Sequence, residues 1–242
     1  MICDVLAIGA HPDDADLGVG GLLLNLAGQG LRTAILDLTR GELGSRGTPE
    51  ERALEAAEAA KRLKVGSRVN AGLPDGAIQE LDEQRLALIH FIRALRPHTV
   101  LAPMAPDRHP DHANAHALVT SSVFFAGVHR IDTGQEPFRP ARIYYYHAYY
   151  DPQVAPALII DVSGVFEEKV AALQAFKSQF YNPGYAGVDT HIASKAFWDN
   201  IRTRAAYWGQ CVGAEYGEPL YTTERMGFRT LPEFLAPAPG GA

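Results

Sequence analysis

Two short clusters of histidine and aspartate are the residues of this sequence best suited to chemistry. The first contains His11, Asp13 and Asp14, and the second is the run His-Pro-Asp-His at positions 109–112. Each cluster follows a short apolar stretch that is typical of a buried β-strand. Because ligands of open α/β sheets bind at the carboxyl ends of the strands, we expect the two clusters to meet around one ion.

Metal binding is the chemistry that these residue types favour. Catalytic zinc sites commonly take three protein ligands from histidine and carboxylate side chains and leave a fourth position for water. His11 and Asp14 are three residues apart in one predicted loop, and His112 offers a third donor from the other strand end. We therefore predict His11, Asp14 and His112 as metal ligands. A bound metal lowers the pKa of water to about 7, which makes hydroxide available at neutral pH.

Asp13, His109 and Asp111 are the expected catalytic residues. Neighbouring side chains point in different directions, so Asp13 can face the open position as a general base while Asp14 binds the metal. Of His109 and His112 only one needs to bind the metal, and the other can donate a proton or a hydrogen bond to a developing oxyanion. Asp111 is expected to orient a histidine as its carboxylate partner.

The residue types of the two clusters also fit other kinds of site. A single His-Pro-Asp is typical of a turn, because proline fixes φ and aspartate caps the next helix. Two histidines and one carboxylate also match an iron(II) oxygenase triad, although such triads usually need a β-rich barrel. A non-catalytic binding protein would be expected to lack a ligand or the base, and here all of them are present. Zn²⁺ is the expected cofactor, with Fe²⁺ or another divalent metal as the alternative.

Apolar strands alternate with helices along the first half of the chain. This alternation predicts a parallel sheet with crossover helices. The fold class is therefore α/β, a single domain with a Rossmann-like, mostly parallel sheet and helices on both faces. Thr48, Pro49 and Glu51 have the pattern of a capping box at the start of the second helix. The predicted strands are 4–9, 33–38, 69–73 and 99–102, and the predicted helices are 17–28, 49–63, 82–95 and 113–125.

The second half of the chain continues in the same way and shows no internal repeat or linker. We therefore interpret residues 1–242 as one domain, with a loose Pro/Gly/Ala-rich tail from about 231. Gly18, Gly20 and Gly21 lack the spacing of a dinucleotide-binding fingerprint, so we expect them to let a helix pack close to the first strand. Further strands are predicted at 141–150 and 157–162, and further helices at 165–180 and 194–208.

The composition is that of a globular protein with a mild negative charge. Twenty-two basic and 28 acidic residues among 242 give a net charge of −6, which argues against a nucleic-acid or anionic-membrane binder. No apolar run reaches the roughly 18 residues of a membrane helix, and the first residues lack the basic region of a signal peptide. Cys3 and Cys211 are too few for a disulfide framework. We expect a cytoplasmic protein.

The two clusters together resemble the LmbE/PIG-L family of zinc-dependent N-acetylglucosamine deacetylases, and the resemblance extends over most of the chain. Segments 44–48 and 176–180 resemble the bacillithiol-biosynthesis branch, which deacetylates N-acetylglucosaminyl malate. The resemblance implies His11, Asp14 and His112 as zinc ligands, Asp13 as the general base, His109 as the residue that helps to stabilise the tetrahedral intermediate, and Asp111 as its carboxylate neighbour.

The same resemblance implies residues that bind the substrate. Arg52 matches an arginine that holds the malyl carboxylate, a role suited to a guanidinium with two parallel N–H groups, although its run of alternating charges is typical of a solvated helix face. Arg108 is a further candidate at the same edge, and His191 stands where some branches place a tyrosine beside the oxyanion. The expected partner is a small amino-sugar conjugate, with an inositol-linked, lipid-linked or chitooligosaccharide substrate as the alternative. The branch also implies a homo-oligomer, often a hexamer.

Overall fold

A five-stranded parallel sheet forms the centre of the computed structural model, which describes residues 2–148 and 154–225. Its strands lie in the order β3-β2-β1-β4-β5, and every neighbouring pair is parallel. The predicted α/β fold with a mostly parallel sheet is therefore confirmed. The strands are β1 (Val5–Gly9), β2 (Thr33–Asp37), β3 (Ser67–Asn70), β4 (Thr99–Pro103) and β5 (Arg142–Tyr146).

Helices cover both faces of this sheet. Leu6 and Ile8 of β1 belong to the apolar layer under α3 and α4, whereas Val5 and Ala7 belong to the layer under α1 and α5. Burial on both faces explains why the strand is apolar throughout rather than alternating. In the part of the chain described, no helix combines the length and apolarity needed to cross a membrane. The helices are α1 (Asp14–Gly28), α2 (Pro49–Arg62), α3 (Asp82–Leu95), α4 (Pro110–Phe125), α5 (Phe166–Leu173) and α6 (Lys195–Gln210).

The strand order reverses at β1, which pairs with β2 on one side and β4 on the other. In such sheets the connections that leave the carboxyl ends of the two central strands diverge, and a crevice opens between them. The loop after β1 carries the first histidine cluster, and the loop after β4 carries the second. The topology therefore places both clusters at one crevice.

Two helices begin three residues earlier than predicted, α1 at Asp14 rather than 17 and α4 at Pro110 rather than 113. Aspartate in a first turn complements the helix dipole, and proline is favoured at the first helical position. The earlier starts place Asp14 and His112 within the first turns of their helices. Both side chains therefore have a rigid support.

The helix predicted at 165–180 ends at Leu173, which corrects the prediction. The Glu55 carboxylate accepts hydrogen bonds from the backbone N–H and the hydroxyl of Ser178, both at 2.7 Å. A continuing helix would need that N–H for its own ladder. Segment 176–180 instead folds inward, where Phe176 and Phe180 are buried.

A second, two-stranded antiparallel sheet was only half predicted. It joins β6 (Leu158–Asp161), which was expected, to β7 (Gly217–Leu220), which was not. Glycine and proline within four residues conceal β7 from a pattern search, although proline is tolerated on edge strands. The strand predicted at 141–150 runs only from Arg142 to Tyr146, since residues 147 and 148 are not in a strand. The last two residues of that prediction and the tail from 231 lie outside the described residues.

The glycines of α1 pack against elements other than β1, contrary to the prediction. A Cβ at Gly18 would collide with the Tyr146 ring of β5, and one at Gly21 would lie 2.8 Å from Val162. The capping box is formed in part: the Thr48 hydroxyl accepts from the Glu51 N–H at 3.1 Å. The Glu51 carboxylate itself accepts from the Tyr185 hydroxyl.

A buried ion network supports the sheet edge beneath the crevice. Arg68 of β3 donates to Asp16 of α1 at 2.9 and 3.0 Å and to Asp37 of β2 at 2.7 and 2.9 Å. The Arg68 side chain is 7% exposed, and those of Asp16 and Asp37 are 0% and 4% exposed. The network fixes the start of α1 to two strands.

Replacing Arg68 should be strongly destabilising. Arg68→Met leaves two buried carboxylates without their cation, so we expect a loss of about 3–5 kcal/mol in the free energy of unfolding, measured by urea denaturation. Arg32→Met is the matched control, because Arg32 pairs with Asp4 at the surface and should lose much less. Equal losses in the two variants would contradict the role of the network.

Candidate active site

The two histidine clusters lie together at the crevice. The ring centroids of His11 and His109 are 4.8 Å apart, those of His109 and His112 are 4.9 Å apart, and those of His11 and His112 are 5.5 Å apart. Each ring offers a nitrogen, and the three nitrogens lie within 4.8 Å of one another. Residues about a hundred positions apart in sequence can thus contact one ion.

Asp14 lies between the two predicted histidine ligands. Its Oδ1 is 3.2 Å from His112 Nε2, and its Oδ2 is 3.5 Å from His11 Nδ1. Oδ2 also accepts the backbone N–H of His11 at 2.8 Å, which fixes the carboxylate at the start of α1. The structure therefore brings His11, Asp14 and His112 together, with two nitrogens and a carboxylate oxygen converging.

Two carboxylates fix the ring of His11 from behind. Its Nε2 is 3.0 Å from Asp75 Oδ1 and 3.3 Å from Asp111 Oδ2. A proton on Nε2 satisfies both carboxylates and leaves the Nδ1 lone pair facing Asp14. Asp111 thus contacts the ring of His11, whereas the resemblance implied it as the carboxylate neighbour of His109.

Asp107 supports His112 in the same way. Its Oδ2 is 3.3 Å from His112 Nδ1 and 3.6 Å from the ring of His147 behind it. A proton on His112 Nδ1 leaves the lone pair of Nε2 on the side of Asp14. Histidines whose second nitrogen is held by a carboxylate are the usual ligands of catalytic zinc, and a donor set of two imidazoles and one carboxylate fits that metal.

Both rings lie in surroundings that favour positive charge. Burial lowers the pKa of His11, but its hydrogen bonds with Asp111, Asp14 and Asp75 raise that pKa well above the usual range. Burial likewise lowers the pKa of His112, and Asp14 and Asp107 outweigh it and raise the pKa to about 10. Such a site can bind a divalent cation in exchange for the protons.

Asp13 is a buried carboxylate that faces the cleft beside these donors. Burial raises its pKa, the Arg52 guanidinium lowers it, and Asp14 raises it again, with a net rise well above the usual range. Its backbone φ is 133°, a value that residues other than glycine rarely adopt. Strained residues of this kind cluster at functional sites. The geometry suits a group that accepts a proton.

His109 is the N-cap of α4, and this position fixes its tautomer. Its Nδ1 accepts the backbone N–H of Asp111 at 3.2 Å, so the ring proton is on Nε2. Burial lowers the pKa of His109, and the charges of His11 and His112 lower it further. A neutral imidazole that lines the cleft can donate its Nε2 proton to an oxyanion.

Arg52 is buried rather than solvated, so the interpretation as an exposed helix face is wrong. Its Nη1 donates to the Gly41 carbonyl at 3.0 Å, and its Nη2 donates to the Pro12 carbonyl at 3.0 Å and to Asp13 at 3.3 Å. Nε is buried without a hydrogen-bond partner. Arg52 lines the cleft, but it must release an existing bond before it can clamp a carboxylate with two parallel N–H groups.

The cleft around these groups has a volume of about 270 Å³. Arg108 and His191, both predicted to bind substrate, are exposed and do not line it. The ring of His191 contacts Phe197, while its neighbour Ile192 reaches the cleft. The lining residues are His11, Asp13, Asp14, Leu43, Gly44, Arg52, Asp75, Gly76, His109, His112, Gln179 and Ile192.

Sequence reasoning missed Asp75 and Asp107. Asp75 lies in Pro74-Asp75-Gly76, which reads as an ordinary turn, and the available signal was its position after β3 at the same sheet edge. Asp107 precedes the second cluster by two residues and follows β4. Each of these aspartates contacts a histidine that is distant or separate from it in the sequence pattern, so no motif marks either one.

Comparisons with known proteins agree with this geometry. A family model described as PIG-L, GlcNAc-PI de-N-acetylase, matches residues 6–123, which contain both clusters. The chain is 30% identical over 232 residues to the diacetylchitobiose deacetylase of Thermococcus kodakarensis, covering 89% of this chain and 81% of that protein. The chain belongs to the PIG-L/LmbE family.

Two further relatives extend the comparison. A 1D-myo-inositol 2-acetamido-2-deoxy-alpha-D-glucopyranoside deacetylase of Rhodococcus jostii is 30% identical over 176 residues, covering 58% of this chain and 60% of that protein. The crystal structure of a conserved protein from Thermus thermophilus superposes with a TM-score of 0.85 at 38% identity, covering 94% of this chain and 97% of that one. The fold is thus shared over nearly the whole chain.

Removing the charge behind His112 should weaken metal binding. Asp107→Asn keeps the size of the side chain but not the carboxylate that holds the Nδ1 proton. We expect zinc affinity to fall by roughly 10–100-fold, measured by competition with a chromophoric chelator. Asp132→Asn, at an exposed aspartate, is the control and should bind zinc as the wild type does. An unchanged affinity in Asp107→Asn would show that the contact has no such role.

Proposed function

We propose that this protein is a metal-dependent hydrolase that removes the N-acetyl group from an N-acetylglucosamine conjugate. The observation that carries the proposal is that the buried carboxylate of Asp13 lines one cleft with His109 and with the converging donors of His11, Asp14 and His112. Amide hydrolysis needs a base, an electrophile and an oxyanion donor. The cleft holds residues suited to each task.

His11, Asp14 and His112 would hold the metal, with Zn²⁺ as the expected ion and Fe²⁺ or another divalent metal as the alternative. A metal in such a site supplies Lewis acidity, which polarises a carbonyl and lowers the pKa of water. The carboxylates of Asp75, Asp111 and Asp107 keep the two rings oriented toward it. The side chains of the cleft would carry out the proton transfers and stabilise the oxyanion.

Asp13 would accept a proton from the attacking water, because its carboxylate lines the cleft beside the side chains that would hold the metal. His109 would donate its Nε2–H to the oxygen of the tetrahedral intermediate. The leaving amine then needs a proton, which Asp13, protonated in the first step, or His109 can supply. Arg52, 3.3 Å from Asp13 Oδ2, holds the base in place throughout.

The conjugate that the resemblance to the bacillithiol-biosynthesis branch implies is N-acetylglucosaminyl malate. A disaccharide of N-acetylglucosamine is the second candidate, favoured by the likeness to a diacetylchitobiose deacetylase. The bonds that already occupy Arg52 favour it as well, since a malyl carboxylate would have to displace one of them. The cytoplasmic location and the homo-oligomeric, hexameric state stay predictions.

Neutralising the base should abolish turnover without removing the metal. Asp13→Asn is expected to reduce the rate of amine release by on the order of 10²–10⁴-fold, the usual contribution of a general base. Its zinc content should remain that of the wild type. Asp82→Asn, at an exposed aspartate of α3, serves as the control. Undiminished turnover by Asp13→Asn would remove Asp13 from the mechanism.

The conjugate can be identified by an amine-release assay with N-acetylglucosaminyl malate, free N-acetylglucosamine and its disaccharide. If malate is the natural aglycone, kcat/KM should be highest for the malyl conjugate, and Arg52→Lys should lower it for that substrate more than for the other two, because lysine lacks a bidentate fork. Equal rates on all three substrates would reject malate. A preference for the disaccharide would support the second candidate.

A further inference from the structure

Helix α1, which carries Asp14, is interrupted one turn after it begins. Val19 has φ −137° and ψ 17°, which lies outside the helical region. In an unbroken helix the N–H of Gly21 would donate to the carbonyl of Leu17. Sharp kinks have identifiable causes, and one of them is a side chain inserted into the hydrogen-bond ladder.

A buried ion pair replaces that helical hydrogen bond, because one of its side chains accepts the Gly21 N–H and the other donates to the Leu17 carbonyl. Glu218 Oε1 accepts the Gly21 N–H at 2.8 Å, and Glu218 Oε2 accepts the Leu22 N–H at 2.7 Å. Lys169 Nζ donates to the Leu17 carbonyl at 2.7 Å and to Glu218 Oε1 at 2.6 Å. The pair therefore caps the end of the first helical segment and the start of the second.

This pair comes from outside the parallel sheet. Lys169 belongs to α5 and Glu218 to β7, and their side chains are 5% and 3% exposed. Gly21 is required beside it, because a Cβ there would lie 2.9 Å from Glu218 Oε1. The second half of the chain thus inserts two opposite charges into a helix of the first half.

We propose that the Lys169–Glu218 pair is a positioning device, which sets the angle of the first turn of α1 and thereby places Asp13 and Asp14 in the cleft. Closing the interruption would rotate that turn. A rotation of about 20° over the roughly 9 Å from Val19 to Asp13 moves the carboxylates by about 3 Å. A misplacement of about 1 Å can already cost ~100-fold in rate.

Stability alone does not explain why charges are used here. Replacing a buried ion pair by apolar side chains of similar volume is often neutral or stabilising. An apolar pair could neither accept the Gly21 N–H nor donate to the Leu17 carbonyl, so the helix would regain its continuous ladder. If the pair only stabilised the fold, an apolar replacement would leave the cleft unchanged. If the pair positions the first turn of α1, the same replacement moves Asp13 and Asp14.

The experiment compares the double variant Lys169→Met/Glu218→Leu with the wild type. We expect its Tm to stay within a few degrees or to rise. Its zinc affinity should fall by roughly 10-fold or more, and kcat should fall by on the order of 100-fold while KM changes little. Arg93→Met is the control, because Arg93 is buried and donates to the carbonyls of Ala126, Val128 and Ile131. It should lower Tm and leave zinc affinity unchanged.

Wild-type zinc affinity and wild-type kcat in a folded double variant would overturn the proposal. If that variant does not fold, Glu218→Gln decides, since it keeps the side-chain volume and removes one acceptor oxygen. It should show a smaller loss of zinc affinity in the same direction, and a wild-type affinity would overturn the proposal too.

Only the expected fall in kcat rests on the proposed function. If the wild type releases no amine from any N-acetylglucosamine conjugate, the proposed function fails. Zinc affinity and Tm then still decide whether the pair positions the first turn of α1.

Discussion

Two histidines and an aspartate from separate strand ends are held together among further carboxylates, and this buried cluster of charge is what the surrounding fold must support. His11, Asp14 and His112 converge because β1 and β4 are neighbours at the point where the strand order reverses. Carboxylates behind each ring fix which nitrogen carries the proton. A divalent cation would stabilise this concentration of negative charge in exchange for the protons that the two imidazoles otherwise hold.

Much of the surrounding fold holds the start of α1 at that meeting point. Arg68 fixes Asp16 to two strands, and the Gly18 backbone packs against the Tyr146 ring. One turn further along α1, the Lys169–Glu218 pair interrupts the helix. Asp13 keeps a strained backbone within this support. Strain of about 1–3 kcal/mol persists only where the surroundings over-determine the conformation. The small second sheet, remote in sequence, therefore contributes to the geometry of the cleft.

The sequence allows local pattern and topology to be predicted, but not contacts between distant elements. Apolar runs flanked by turn residues predicted the five strands of the parallel sheet. The clusters after two of these strands predicted His11, Asp14 and His112 as metal ligands, and the structure brings these three side chains together. Asp75 and Asp107 were missed because a lone aspartate in a loop acquires a role only through the ring it meets. Arg52 was expected on a solvated face or on a substrate carboxylate, and burial against two carbonyls was not readable from its charged neighbours. Glu218 lay in a strand hidden by glycine and proline.

Anomalous diffraction at the zinc edge from crystals of the metal-loaded protein would show whether His11, Asp14 and His112 share one ion. We predict one strong peak in the cleft, within about 2.0–2.2 Å of His11 Nδ1, a carboxylate oxygen of Asp14 and His112 Nε2. A peak elsewhere, or His11 and His112 too far apart to share one ion, would contradict it.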